Sequence, residues 1–150
     1  MAEHNILTDP YLHEPKGVST AAAGLVYQAD GAGSGDWVEP HQVLNASLSD
    51  ISAPSSVYVP VPFGGNVIKI VGVLHAAITI ANTTLTVKNA AGVSMGTISV
   101  PFSGSAAGQV FILTPVSNNV IADNSFFTIE SDGGSTTTAM MTFSAVVRKV

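Results

Sequence analysis

The sequence predicts an all-β protein, a jelly-roll-like two-sheet β-sandwich preceded by an extended N-terminal arm. Three observations carry that expectation. Beyond Ser56 the chain breaks into short runs rich in β-branched residues, several of them alternating with a period of two. Gly, Asn, Ser and Asp, the residues of tight turns, bound these runs. Helical periodicity is absent, and many short strands separated by turns mean a sandwich or a barrel.

Taken in order, residues 1–50 show no sustained period and form the predicted arm, with residues 51–150 as the sandwich body. Pro10, Pro15 and Pro40 remove backbone donors and push the residues before them towards extended conformations. Within the arm, "LVYQADGAGSGDWV" (Leu25–Val38) has a hairpin turn at Asp30-Gly31 and reads as a small hairpin or clasping loop. "HQVLNASLSDISA" is a lead-in to the body with room for one helical turn. "VYVPVPF" is strand-like, and Pro60 and Pro62 place it at a sheet edge or end. "NVIKIVGVLHAAITI" is nearly continuous in apolar content, as in a strand covered on both faces or bent at Gly72. Then "TLTVKN" alternates with Leu85 and Val87 on one face, and "TISVPF" with Ile98, Val100 and Phe102 inward. "QVFILTPV" is a buried run, "FFTIES" places Phe127 and Ile129 on one face, and "TAMMTFSAVVRKV" aligns Met141, Phe143, Ala145 and Val147. The body therefore has about eight short strands.

Composition narrows the function. A 150-residue chain is one domain's worth and buries roughly 70% of its unfolded surface without staples. Cysteine is absent, which excludes disulfides and thiolate metal sites. Charged residues make up 10% and hydrophobic residues 46% of the chain, the reverse of a disordered protein. So few charges indicate that much of the surface faces another protein. The net charge of −5 is uneven: Glu3, Asp9, Glu14, Asp30, Asp36, Glu39 and Asp50 face only Lys16 in the first 50 residues. An acidic front without clustered Lys and Arg argues against nucleic acid and suits docking on a basic protein surface. No basic segment followed by an apolar run marks a signal peptide at the start. The uncharged stretch Ile70–Val87 contains His75, Asn82 and four threonines, so paired strands explain it better than a membrane span.

Outward positions carry Thr and Ser where edge strands usually carry charge. The arm covers these edges or subunits pack against one another, and a symmetric homo-oligomer is the favoured expectation.

The motifs point away from catalysis. "GAGSGD" lacks the strand–helix setting of a dinucleotide loop and the Gly-Lys-Ser/Thr ending of a P-loop, and is a turn. Of His4, His13, His41 and His75, only His75 falls on a predicted strand, as a hydrogen-bonded core or interface residue rather than a ligand. No serine lies in a Gly-x-Ser-x-Gly elbow. In the body Asp123, Glu130 and Asp132 are the only carboxylates, and Asp123 and Asp132 sit in turns, so no paired-carboxylate groove is expected. The expectation is a non-enzyme with no cofactor, no metal and no small-molecule substrate.

The stretch "DPYLHEPKGVSTAAAGLVYQADGAGSGDW" (Asp9–Trp37) resembles a segment of structural proteins of tailed bacteriophages, the head decoration (cement) and head-fibre proteins. "HEPKGVSTAA" at His13–Ala22, "VYQADGAGSG" at Val26–Gly35 and the following Trp37 carry the resemblance. It implies a homotrimer on the outer capsid surface of the virion, bound to the major capsid protein and bridging capsid subunits, with no cofactor. It also implies that the arm contacts the shell. The expected docking residues are Tyr11, Leu12, His13, Pro15, Lys16, Val18, Leu25, Tyr27 and Trp37, with the apolar members as anchors. Pre-set proline dihedrals lower the cost of ordering such a segment, and three arms on one trimer multiply a modest contact. The alternative is a tail-associated or receptor- or carbohydrate-binding phage module, which calls for exposed aromatics.

Overall fold

In the computed structural model, residues 20–32 and 35–149 are described. They fall into two compact units divided between Pro40 and His41. The first contributes a two-stranded antiparallel hairpin of β1 (Val26–Ala29) and β2 (Gly35–Val38).

The second unit is a two-sheet sandwich built from β3 (His41–Leu48), β4 (Pro54–Val61), β5 (Gly65–Leu74), β6 (Thr83–Asn89), β7 (Ser94–Val100), β8 (Val110–Leu113), β9 (Val120–Ile121), β10 (Ser125–Asp132) and β11 (Met141–Lys149). One sheet has the order β4-β10-β6-β7. The other has the order β3-β11-β5-β8, with β9 also paired to β5. Every pairing is antiparallel. No α-helix occurs among the described residues. This is the all-β, jelly-roll-like sandwich that the strand pattern predicts.

The alternation explains the core. From the first sheet Val59, Val61, Leu85, Val87, Ile98, Val100, Phe127 and Ile129 point inward. From the second, Leu48, Val67, Ile70, Leu74, Met141, Phe143, Ala145 and Val147 meet them in one continuous cluster. Full burial of one such side chain contributes roughly 1.5–3 kcal/mol before entropy is charged against it. Ile70–Val87 is parts of β5 and β6 with the loop between them, which settles its reading as strands. β5 runs straight through Gly72, where an added Cβ would lie 2.3 Å from Met141 Cε. The glycine makes room for the central strand's side chains rather than a bend, and the irregularity in the β5–β11 ladder falls between Val146 and Val147.

Asp50 fastens the corner where the chain leaves one sheet for the other. Its Oδ1 accepts from the Ser52 hydroxyl at 2.6 Å, from the Ser52 N–H at 2.8 Å and from the Ala139 N–H at 3.3 Å. The Ser52 hydroxyl, then the Ser52 N–H, hold the carboxyl below its ordinary value, and partial burial opposes them. Further lowering comes from the Ala139 N–H and the Thr138 hydroxyl.

Several expectations are corrected. The body begins at His41, not residue 51, because "HQVLNASL" is β3 and pairs with β11 from His41 to Leu48. Its period of two is hidden because Gln42 and Ala46 share the inner face with Leu44 and Leu48. There is no helical turn there. The run "QVFILTPV" is not buried throughout. Phe111 and Leu113 pack on the core, while Val110 and Ile112 are exposed. Phe102 is exposed too, because Pro101 follows the last residue of β7 and the chain turns, held by the Phe102 N–H donating to Asn82 Oδ1. His75 lies just beyond β5, exposed, with Nε2 3.1 Å from Thr142 Oγ1.

Candidate interaction surfaces

The hairpin gathers three of the expected docking residues. Asp30 Oδ1 accepts from the Ala32 N–H at 2.7 Å, and Gly31 takes a positive φ of 77°, so the Asp-Gly pair makes the turn that the sequence predicts. Gly35 is required as well, since a Cβ there would lie 2.3 Å from the Gln28 carbonyl oxygen. The register places Tyr27 opposite Trp37. Their rings meet edge to face, with centroids 5.4 Å apart and planes at 62°. Leu25 precedes β1 by one residue and is half-buried, as are Tyr27 and Trp37. The other expected docking residues, Tyr11, Leu12, His13, Pro15, Lys16 and Val18, lie outside the described residues.

A second surface follows from the five-stranded sheet. Its outer face is a lattice read directly from the register. One row runs Asn45, Ser144, Val71, Ile112, and the next Ser47, Thr142, Val73, Val110. On the other side lies Val43, Val146, Lys69, and beyond it His41, Arg148, Asn66, Val120. Val43 and Ile112 are each 59% exposed and Val110 is 55% exposed. The two central rows carry no charged side chain; the basic groups Lys69 and Arg148 stand towards one end. The polar members hold one another: the Ser144 hydroxyl donates to Asn45 Oδ1 at 2.7 Å. A shallow groove of about 490 Å³ runs between β3 and β11, lined by Asn45, Ala46, Ser47, Thr142, Phe143 and Ser144.

The two edges of the sandwich beside the β3–β4 corner differ. β4 carries Pro54 and Pro60, which have no N–H to offer a further strand. β3 carries neither proline nor lysine and pairs only with β11 among the described strands. The missed signal was in the sequence: Val at 43 and Val-x-Ile at 110–112 sit where alternation puts the solvent face, but only the pairing partners reveal which face that is.

No family model matches the chain, and no curated protein matches it. Among solved structures the chain is similar to a chain of a cyanophage Pam1 capsid asymmetric unit. That match is 16% identical, with a TM-score of 0.50, covering 89% of this chain and 99% of the other. It is also similar to CsCBM6-3 from Clostridium stercorarium in complex with cellobiose, at 16% identity and a TM-score of 0.43, covering 85% of this chain and 83% of that one. A third match is the catalytic domain of a GH87 alpha-1,3-glucanase in complex with tetrasaccharides, at 15% identity and a TM-score of 0.42, covering 75% of this chain and 28% of that one. At these identities the likeness is one of fold: the chain is an all-β sandwich of a kind also found in a phage capsid.

Proposed function

We propose that this protein is a virion structural protein that coats the outer surface of a phage head as a homotrimer and holds neighbouring capsid subunits together. The observation that carries the reading is the nearly end-to-end correspondence with a chain of a cyanophage capsid asymmetric unit, over 89% of this chain and 99% of that one. The resemblance of Asp9–Trp37 to decoration and head-fibre proteins points the same way.

Two surfaces supply the two contacts that such a protein needs. A lone two-stranded hairpin is marginal in water, so the Tyr27–Trp37 hairpin gains its stability from a surface it packs on. In this reading that surface is the major capsid protein, reached by the arm residues Tyr11 to Val18 together with Leu25, Tyr27 and Trp37. The uncharged rows of the β3-β11-β5-β8 sheet and the open edge of β3 serve the contacts between copies. Thr, Ser and Val meet a neighbouring subunit without like-charge repulsion, and obligate subunit contacts are the more apolar class of interface. The role is non-enzymatic and draws on no cofactor.

The test is the copy number of the polypeptide in purified particles, relative to the major shell protein, by quantitative mass spectrometry. Copies on the order of hundreds per particle fit a protein repeated over symmetry-related shell sites. A handful would move it to the tail or a vertex and withdraw the shell-docking role of the arm.

A further inference from the structure

The outer face of the four-stranded sheet has a different chemistry. On β4 the alternation turns Ser56, Tyr58 and Pro60 outward, and Tyr58 is 65% exposed. β10 lies beside it, with Phe126 opposite Pro60, Thr128 opposite Tyr58 and Glu130 opposite Ser56. The Tyr58 and Phe126 rings meet edge to face, with centroids 5.4 Å apart and planes at 63°. The exposed ring is therefore propped in place by a second one.

The next strand adds Lys88 opposite Thr128. Lys88 Nζ donates to Glu130 Oε2 at 2.5 Å, and the Thr128 hydroxyl donates to Glu130 Oε1 at 3.3 Å. Each partner of the ion pair keeps about a third of its side chain exposed, so both retain hydrogen-bonding capacity towards solvent. Beyond Pro60 the same face ends in a groove of about 370 Å³ lined by Pro60, Val61, Pro62, Asn124 and Ser125. Small-ligand sites begin at about 300 Å³.

We propose that this face binds a neutral saccharide chain. One pyranose ring stacks its C–H face on Tyr58, its hydroxyls bond to the Lys88–Glu130 pair, and an adjoining unit lies along the Pro60–Asn124 groove. The chemistry selects this class. A cation matched by a carboxylate gives no net field for a phosphate or a nucleic acid. A single large exposed side chain among Ser, Thr and Pro is too little apolar surface for the core of a protein interface. A sugar has both an apolar face and a rim of hydroxyls, and this surface offers a flat ring beside fixed donors and acceptors. The site is open, so a single copy binds weakly, and repetition of copies supplies avidity.

The proposal does not rest on the capsid reading, because sugar binding is measured on the isolated protein and copy number on particles. The experiment is NMR titration of the ¹⁵N-labelled full chain with cellohexaose, maltohexaose and chitohexaose. The expected result is binding of at least one with a Kd of about 1 mM or tighter. Tyr58→Ala should weaken it about tenfold or more, Lys88→Met should weaken it severalfold, and Val43→Thr on the opposite sheet should leave it unchanged. Tyr58→Phe, which keeps the ring, should retain most of the affinity and guards against a folding defect. Silence with all three sugars at about 20 mM, or undiminished binding by Tyr58→Ala, overturns the proposal. A change of subunit number in Tyr58→Ala without sugar binding overturns it too, by making the face a protein contact.

Discussion

The two outer faces of the sandwich are made by the same rule and differ in content. Each is one half of an alternating pattern whose other half fills one shared core. On the β3-β11-β5-β8 sheet the outward residues are Val, Ile, Ser, Thr and Asn, with Lys69 and Arg148 set towards one end. On the β4-β10-β6-β7 sheet they include an exposed tyrosine, an ion pair and prolines at the edge. The central rows of the first face lack the charges that keep sheets apart in solution, and its β3 edge has no proline to stop a further strand. The second keeps an edge that refuses pairing and arranges polar groups around one ring. The core thus sets the architecture, and the solvent-side half of each strand is left to specify what the protein meets.

Four changes break or sharpen this contrast, in falling order of effect. Phe127→Ala removes a fully buried ring from the core that both faces share. It should cost about 3–5 kcal/mol in urea unfolding and disturb both faces together. The paired substitution Val43→Asp with Ile112→Asp places acidic charge at two well-exposed apolar positions of the β3-β11-β5-β8 face. It should yield a folded monomer by sedimentation, with an unchanged far-ultraviolet spectrum, whereas a persisting oligomer would remove this face from the subunit contact.

Asp50→Asn tests the corner joining the two sheets. A carboxyl held below its ordinary value in the fold contributes stability that is present above the unfolded pKa of about 3.9 and is lost as pH falls through the folded value. The variant should melt at a lower temperature at pH 7, and the gap to the wild type should close as pH falls from about 5 towards 2. A constant gap would mean that the corner is held by the backbone alone. Smallest is Glu130→Gln, which removes a partly exposed ion pair and should change unfolding stability by no more than about 1 kcal/mol. A loss several times larger would make the pair a structural brace rather than part of an open binding face.

Much of the sandwich was legible because its inward residues repeat every second position between clear turns. The pattern puts Phe127 with Ile129, Leu85 with Val87, and Met141 with Phe143, Ala145 and Val147, on the faces they occupy. The Asp30-Gly31 turn announced the hairpin, and Pro60 announced an edge strand. The failures share one physical cause. A strand with apolar residues on both faces looks the same whether its second face is covered or open, so Val110 and Ile112 passed for core. A strand with Gln and Ala on its inner face looks like a linker, so by pattern alone β3 reads as part of the arm. The Lys88–Glu130 pair joins residues 42 apart on strands that are not consecutive, and no local pattern foretells it. Tyr58 stood in plain view, but its exposure depends on β4 lying at a sheet edge and facing outward there.

β11 lies between β3 and β5, and its Ser144 bonds to Asn45, 99 residues earlier. A ribosome adding about 5–20 residues per second therefore needs roughly 5–20 s after making Asn45 to produce its partner. During that interval the five-stranded sheet lacks its middle, and β3 and β5 each present an unfilled edge. Closing over so wide a separation is slow, and it comes only when Met141–Lys149 emerges. The apolar outer face is thus assembled in the same step that finishes the body. Until β11 is in place a nascent chain lacks the continuous outer face that a second copy would have to meet.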